Sequence, residues 1–209
     1  MSPLTMKRIS LTSNPQTGLH LYLLYDNMRQ LLWEQYVHDE LFHMDIFSLP
    51  MLEKVTHHTL HLTKYYTEIM DTAVNENALY QTRLTDTLST CLSLFCIFNC
   101  VPTLTRDYFE HEVRSRDYEE DYSTLISMLS RFTEQNKHGP SETFSRKQIV
   151  AEIQITFCNT LVLMINYKHD PFDAINTRRD DIQKRSIFYE MLHQLYLDRV
   201  NILGSSRLS

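Results

Sequence analysis

Glycine is almost missing from this chain: three residues in 209, beside six prolines. An all-β fold needs many tight turns and the residues that make them, so that class is excluded and long uninterrupted helices are the simplest alternative. There is no glycine-rich phosphate loop, no G-x-S-x-G elbow and no Cys–His spacing suited to a nucleophile, which excludes kinase, Rossmann and serine-hydrolase chemistry. Long apolar runs are also few. The most hydrophobic stretch by inspection, Cys91 to Phe98, falls well short of the roughly 20 residues a bilayer span requires, so no transmembrane helix is expected. Lys7 and Arg8 are not followed directly by an apolar segment with a small-residue cleavage site, so the expectation is a soluble, cytoplasmic protein. The four cysteines, at 91, 96, 100 and 158, lack a C-x-x-C pair, and reduced thiols inside apolar helices fit them better than a disulfide frame or a zinc site. Finally, a formal charge of −6 offers no broad basic surface for a phosphate backbone, so no strong nucleic-acid signal is present.

What remains is helical periodicity. Residues 1–16 are polar and contain Pro3, Asn14 and Pro15, which reads as a loose leader. The spacing of Leu21, Leu24, Met28, Leu31 and Leu32 predicts a helix from about Gly18 to Met44. Ser48-Leu49-Pro50 interrupts it, and a second helix runs towards Ala73 through Leu52, Val55, Leu60 and Leu62. A third, mostly buried, spans Ala78 to Cys100 and is stopped by Val101-Pro102. Residues 105–121 are dense in charge and tyrosine and read as a solvated connecting helix between an N-terminal half, 17–104, and a C-terminal half, 122–209, packed on it as one globular domain. The second half offers helices over Tyr122–Asn136 and Phe144–Tyr167, and a last one opened by Asp170-Pro171 and continuing to Leu203. The fold class is therefore all-α, a bundle of six or seven helices.

An offset of 66 residues lays Tyr66-Thr67-Glu68 over Phe132-Thr133-Glu134 and Asp86 over Glu152, and leaves 18 residues between the two acids in each half. This predicts a tandem duplication of a helical hairpin with one acid on each arm. Two such hairpins packed together would bring Glu68, Asp86, Glu134 and Glu152 into one bundle, where like charges raise each other's pKa and cost several kcal/mol unless a cation neutralises them. Oxygen-only ligands favour Mg2+ or Mn2+. Solvation, or pairing with Lys64, Lys137 or Arg146, is the bland alternative for each acid.

The stretch Asp170-Pro171-Phe172-Asp173-Ala174-Ile175, with Arg178, Ile182 and Arg185, resembles the segment after the third helix of the MazG-like all-α nucleoside triphosphate pyrophosphohydrolases, with Ile182 where that family has asparagine. The hairpins are similar to the family's E-x-x-E and E-x-x-D helices, read here as Tyr65-x-x-Glu68, Arg131-x-x-Glu134 and Arg83-x-x-Asp86, with Glu152 in the second copy. Each copy keeps about half of the acids. The resemblance implies hydrolysis of a nucleoside triphosphate to monophosphate and pyrophosphate. It would place the metal on Glu68, Asp86, Glu134 and Glu152, with Lys64 or Arg185 offsetting charge on the leaving group.

Other patterns point elsewhere. The missing acids and the aromatic, charged stretch from Tyr108 to Tyr122 suit a non-catalytic helical module that binds a protein partner or forms a homo-oligomer, such as a dimer. Arg106 and His111 have the spacing of HEPN ribonucleases. Glu40/His43 and Glu190/His193 are each one helical step apart, as in bundle di-iron proteins. His38-Asp39 has the look of an HD-type phosphohydrolase pair, in a region that also holds His43, His57, His58 and His61.

Overall fold

A computed structural model describes residues 15–71, 77–102, 117–137 and 144–205, with side chains described over 28–71, 78–102, 117–137 and 144–201. Eight helices are present among the described residues, with no strand: α1 (Pro15–Phe42), α2 (Met44–Phe47), α3 (Met51–Asp71), α4 (Asn77–Ile97), α5 (Tyr118–Asn136), α6 (Arg146–Asn166), α7 (Pro171–Gln183) and α8 (Tyr189–Ser205). The predicted leader falls almost wholly outside the described residues, as do the Arg106–His111 motif and most of the 105–121 connection.

The expected all-α bundle is what forms. Helices α3 and α4 make one hairpin and α5 and α6 another; α3 packs on α5 and α4 on α6, which closes a four-helix square. Its centre is the α4–α6 contact, where Leu84, Leu88, Leu92 and Phe95 meet Ile153, Phe157, Leu161 and Met164, all fully covered. Phe95 and Phe157 meet edge to face with centroids 5.8 Å apart. Helix α6 is long and apolar enough to cross a membrane by length and composition, a property the sequence reading gave to no segment, and two-thirds of that stretch is buried against the other helices. Around this square, α1 lies against α4 with α8 on its far side, and α7 lies across α4.

Local chemistry explains the ends. Ser145 and Gln148 make a reciprocal capping box that starts α6, and the Asp170 carboxylate accepts from the amides of Phe172 and Asp173 to start α7, with Pro171 at its first position. Helix α4 stops before Val101-Pro102. Asn99 takes a left-handed φ of 45°, and the Cys100 amide reaches back to the Phe95 carbonyl, the closure glycine usually provides. Lys168, φ 60°, closes α6 in the same way. Arg146 then donates to the carbonyls of Phe98 and Asn99, tying the start of α6 to the end of α4.

Two expectations are corrected. The 105–121 segment is not solvated throughout: Tyr118 and Asp121, in the first turn of α5, are buried. Asp121 can enter the interior because Asn159 donates to it at 2.6 Å. The predicted helix from Asp170 to Leu203 is broken after Gln183: Ser186 Oγ accepts from the Phe188 amide, and the chain turns so that α8 lies on α1, where Trp33 donates to the Arg199 carbonyl at 3.1 Å.

Candidate functional site

Helices α1, α2, α3, α4 and α7 leave between them a cavity of about 830 Å³. Its wall carries five histidines, His38, His43, His57, His58 and His61, four cationic groups, Lys54, Arg178, Arg179 and Arg185, and two carboxylates, Asp39 and Asp86. Each is delivered by a local rule. His57 and His61 stand one turn apart on α3 with ring centroids 4.5 Å apart. Gln35 and Asp39 are likewise one turn apart on α1. His43 owes its place to the end of α1: leaving the helix with φ −128° and ψ 42°, it folds back until its ring lies 5.3 Å from that of His38.

One donor atom from each of His38, Asp39 and His43 lies within 4.8 Å of the other two, and this is the group of metal-ligating type found among the described residues. His38 is 1 % exposed. Burial, then the charges of His43 and Arg179, hold its imidazole neutral by lowering its pKa to about 2. Burial raises the Asp39 pKa against the opposing hydrogen bonds of Ser93 and Gln35, at 2.6 and 2.8 Å. Burial, then the neighbouring His57 and His61, lowers His58 to about 3, and burial above all pushes His57 and His61 down. The imidazoles of the cavity other than His43 are therefore held towards their neutral, lone-pair-bearing form. Tyr65, hydrogen-bonded to His61 at 2.8 Å, is raised to about 12 by burial and by Asp86.

The arginines differ in how they are held. Arg179 is 3 % exposed and locked into α1: it donates to Gln35 Oε1 at 3.2 and 3.0 Å, to Glu34 at 3.0 Å and to the Leu31 carbonyl at 3.2 Å. Arg178 clamps Asp86 with two bonds of 2.6 and 3.2 Å. Burial opposes its charge, but Asp86 outweighs that and raises its pKa. Arg185 stands at the exposed rim with no carboxylate partner among the described residues.

The predicted site residues are separated by this arrangement. Asp86 and Arg185 line the cavity; Lys64, Glu68, Glu134 and Glu152 do not. Asp86 is already paired with Arg83 at 2.9 Å and with Arg178, and Arg83 also pairs with Glu68. Glu134 is 70 % exposed in its side chain and pairs with Lys137 at 3.1 Å, because it sits one position beyond the buried stripe of α5 that runs Tyr122, Leu125, Leu129, Thr133. Glu152 is half-buried on α6. Lys64 is an exposed neighbour of Glu68 at 4.0 Å. The four acids therefore do not share the cavity wall. The di-iron arrangement is not assembled either: Glu40 is paired with Arg199, Glu190 is exposed, and His193 bonds Gln183 at 2.8 Å.

No protein-family model, no curated protein and no solved structure matches this chain.

Proposed function

We propose that the cavity binds a nucleoside triphosphate and hydrolyses it, with a divalent metal, to the monophosphate and pyrophosphate. One observation carries the reading: the segment that resembles the MazG-like pyrophosphohydrolases supplies Arg178, Arg179, Ile182 and Arg185 to the wall of a cavity that also holds a His–Asp–His cluster. Guanidinium forks match phosphate oxygens, and a volume of about 830 Å³ lies in the ordinary range for a small-molecule site. Tyr36, Phe42 and Phe47 give the same wall aromatic faces on which a base can stack. In this role Arg185 meets the terminal phosphates, since Arg178 and Arg179 are already engaged. Lys54, within 4.6 Å of the Phe47 ring, takes the place expected of Lys64.

Calorimetric titration with the ribo- and deoxyribonucleoside triphosphates tests this. Arg185→Ala is expected to weaken triphosphate binding about 10-fold, roughly 1.4 kcal/mol, and monophosphate binding much less. Folded protein that binds no triphosphate, or that loses affinity in Lys64→Ala and not in Arg185→Ala, contradicts the reading. A second reading, a module that binds such ligands without turnover, is favoured by the double engagement of Asp86, which leaves it little capacity as a metal ligand. Binding without pyrophosphate release would select it.

A further inference from the structure

We propose that His38, Asp39 and His43 form an open site for a first-row transition-metal dication of the zinc type, facing the cavity. This deepens the nucleotide reading by naming the metal's place, and it is tested on the metal alone.

Helix geometry shows why these three residues meet. In a continuous α-helix, residue 43 would point about 140° away from residue 38 at roughly 100° per residue. The helix instead ends at Phe42, and the non-helical backbone of His43 brings its ring back over His38. Asp39 is next in sequence to His38 and completes a group whose donor atoms lie within 4.8 Å of one another. Bound ligands at about 2 Å from a common ion require only a modest contraction of that group.

The donor set selects the ion. Two imidazoles and one carboxylate suit Zn2+, Co2+, Mn2+ or Fe2+; Mg2+ takes oxygen donors and keeps its waters. Three protein ligands leave a position open, which is the pattern of catalytic rather than structural metal sites.

The surroundings are those a metal centre needs. Both Asp39 oxygens are held, one by Gln35 Nε2 at 2.8 Å and the other by Ser93 Oγ at 2.6 Å. His38 Nδ1 lies 3.4 Å from Gln183 Nε2, and Gln183 Oε1 meets His193 Nδ1 at 2.8 Å; with the amide turned end for end, Oε1 accepts the His38 Nδ1–H and Nε2 of His38 is left for the metal. Such outer partners fix the ring and carboxylate orientations of ligands. Ser93 and Gln183 come from α4 and α7, so three helices converge on the triad. His38, Asp39 and His43 line the same cavity as Arg178 and Arg185.

The test uses the full chain, stripped of metal and titrated with Co2+ by its visible d–d band and with Zn2+ against a chromophoric chelator. One ion per chain is expected. Ser93→Ala, which only orients Asp39, should weaken binding about 10-fold, and His43→Ala, which removes a ligand outright, at least about 100-fold. His57→Ala/His61→Ala should leave the stoichiometry and affinity unchanged. Because His38 is buried, the ligand test rests on His43, which is partly exposed, and His43→Gln replaces His43→Ala should the alanine variant lose its helical circular dichroism. Absence of binding by the folded wild type, binding undiminished in the His43 variant, or binding lost in the His57/His61 variant overturns the assignment. Metal binding without triphosphate hydrolysis would uphold this site and reject the function above.

Discussion

Replacing Arg179 by alanine should unfasten α7 from α1. Its guanidinium is 3 % exposed and gives four bonds, to Gln35 twice, to Glu34 and to the Leu31 carbonyl. The substitution leaves a carboxylate, an amide oxygen and a main-chain carbonyl without their donor. Breaking a buried ion pair by removing one partner costs about 3–5 kcal/mol. Glu34 keeps a side-chain exposure of 21 %, and water screens part of that loss, so about 3 kcal/mol is the figure to expect. For a chain of this size that corresponds to a fall in Tm of roughly 6–12 °C. Urea unfolding followed by helical circular dichroism, at an unchanged m-value, measures it. Arg179→Lys, which keeps the charge but loses the fork, should fall between the two. Lys137→Ala, which removes the partner of an exposed glutamate, serves as the comparison and should stay within about 0.5 kcal/mol of the parent. A cost below about 1 kcal/mol for Arg179→Ala would refute the claim that this arginine joins the two helices.

Phe157→Ala removes a fully buried ring at the α4–α6 contact and should cost about 3–5 kcal/mol by denaturant unfolding. Asp121→Ala leaves the buried Asn159 amide without its 2.6 Å acceptor and should cost about 1–3 kcal/mol in the same assay, with Asp121→Asn recovering part of it. Burial, then repulsion from His57, His61, His43 and Lys54, lowers the His58 pKa to about 3, against about 6.5 in the unfolded chain. The unfolded state therefore takes up the proton first as pH falls: this contribution is complete above about pH 6.5 and is lost towards pH 3, at up to about 1.4 kcal/mol per unit. Unfolding in the presence of chelator at neutral pH and near pH 5 should show a difference of up to about 2 kcal/mol from this group, absent in His58→Leu; equal pH slopes for the two proteins would count against it.

The helices were legible because their signals are local. Asp170-Pro171 opens α7 as its residue types require, and the apolar spacing placed the arms of both hairpins within a few residues. The break after Gln183 was not legible, since neither glycine nor proline marks it; what holds it is the packing of α8 on α1, a tertiary contact. The four-acid cluster failed for a reason the sequence already contained. Extending the α5 stripe Tyr122, Leu125, Leu129 by one turn reaches Thr133, not Glu134, so an inward glutamate would have broken the period. The histidines between 38 and 61 were visible as a concentration, but their convergence depended on where α1 ends. Gln35, Ser93, Arg179 and Gln183, which position the site, carry no motif: each is a polar residue within a helix or, for Gln183, at its last position, and only the facing helices give it a partner. A search for buried polar residues at one-turn spacing, such as Gln35 with Asp39, is the signal that could have found them.

Pyrophosphate release from nucleoside triphosphates by the full chain, with Mg2+, Mn2+, Co2+ or Zn2+ supplied in turn, tests the central claim most directly. Release that needs a metal and falls at least about 10-fold in both Arg185→Ala and His43→Ala, and is unmoved by Glu134→Ala, is the predicted result. No release from any triphosphate by protein that is folded and metal-loaded, or release that depends on Glu134 and not on His43, would contradict it.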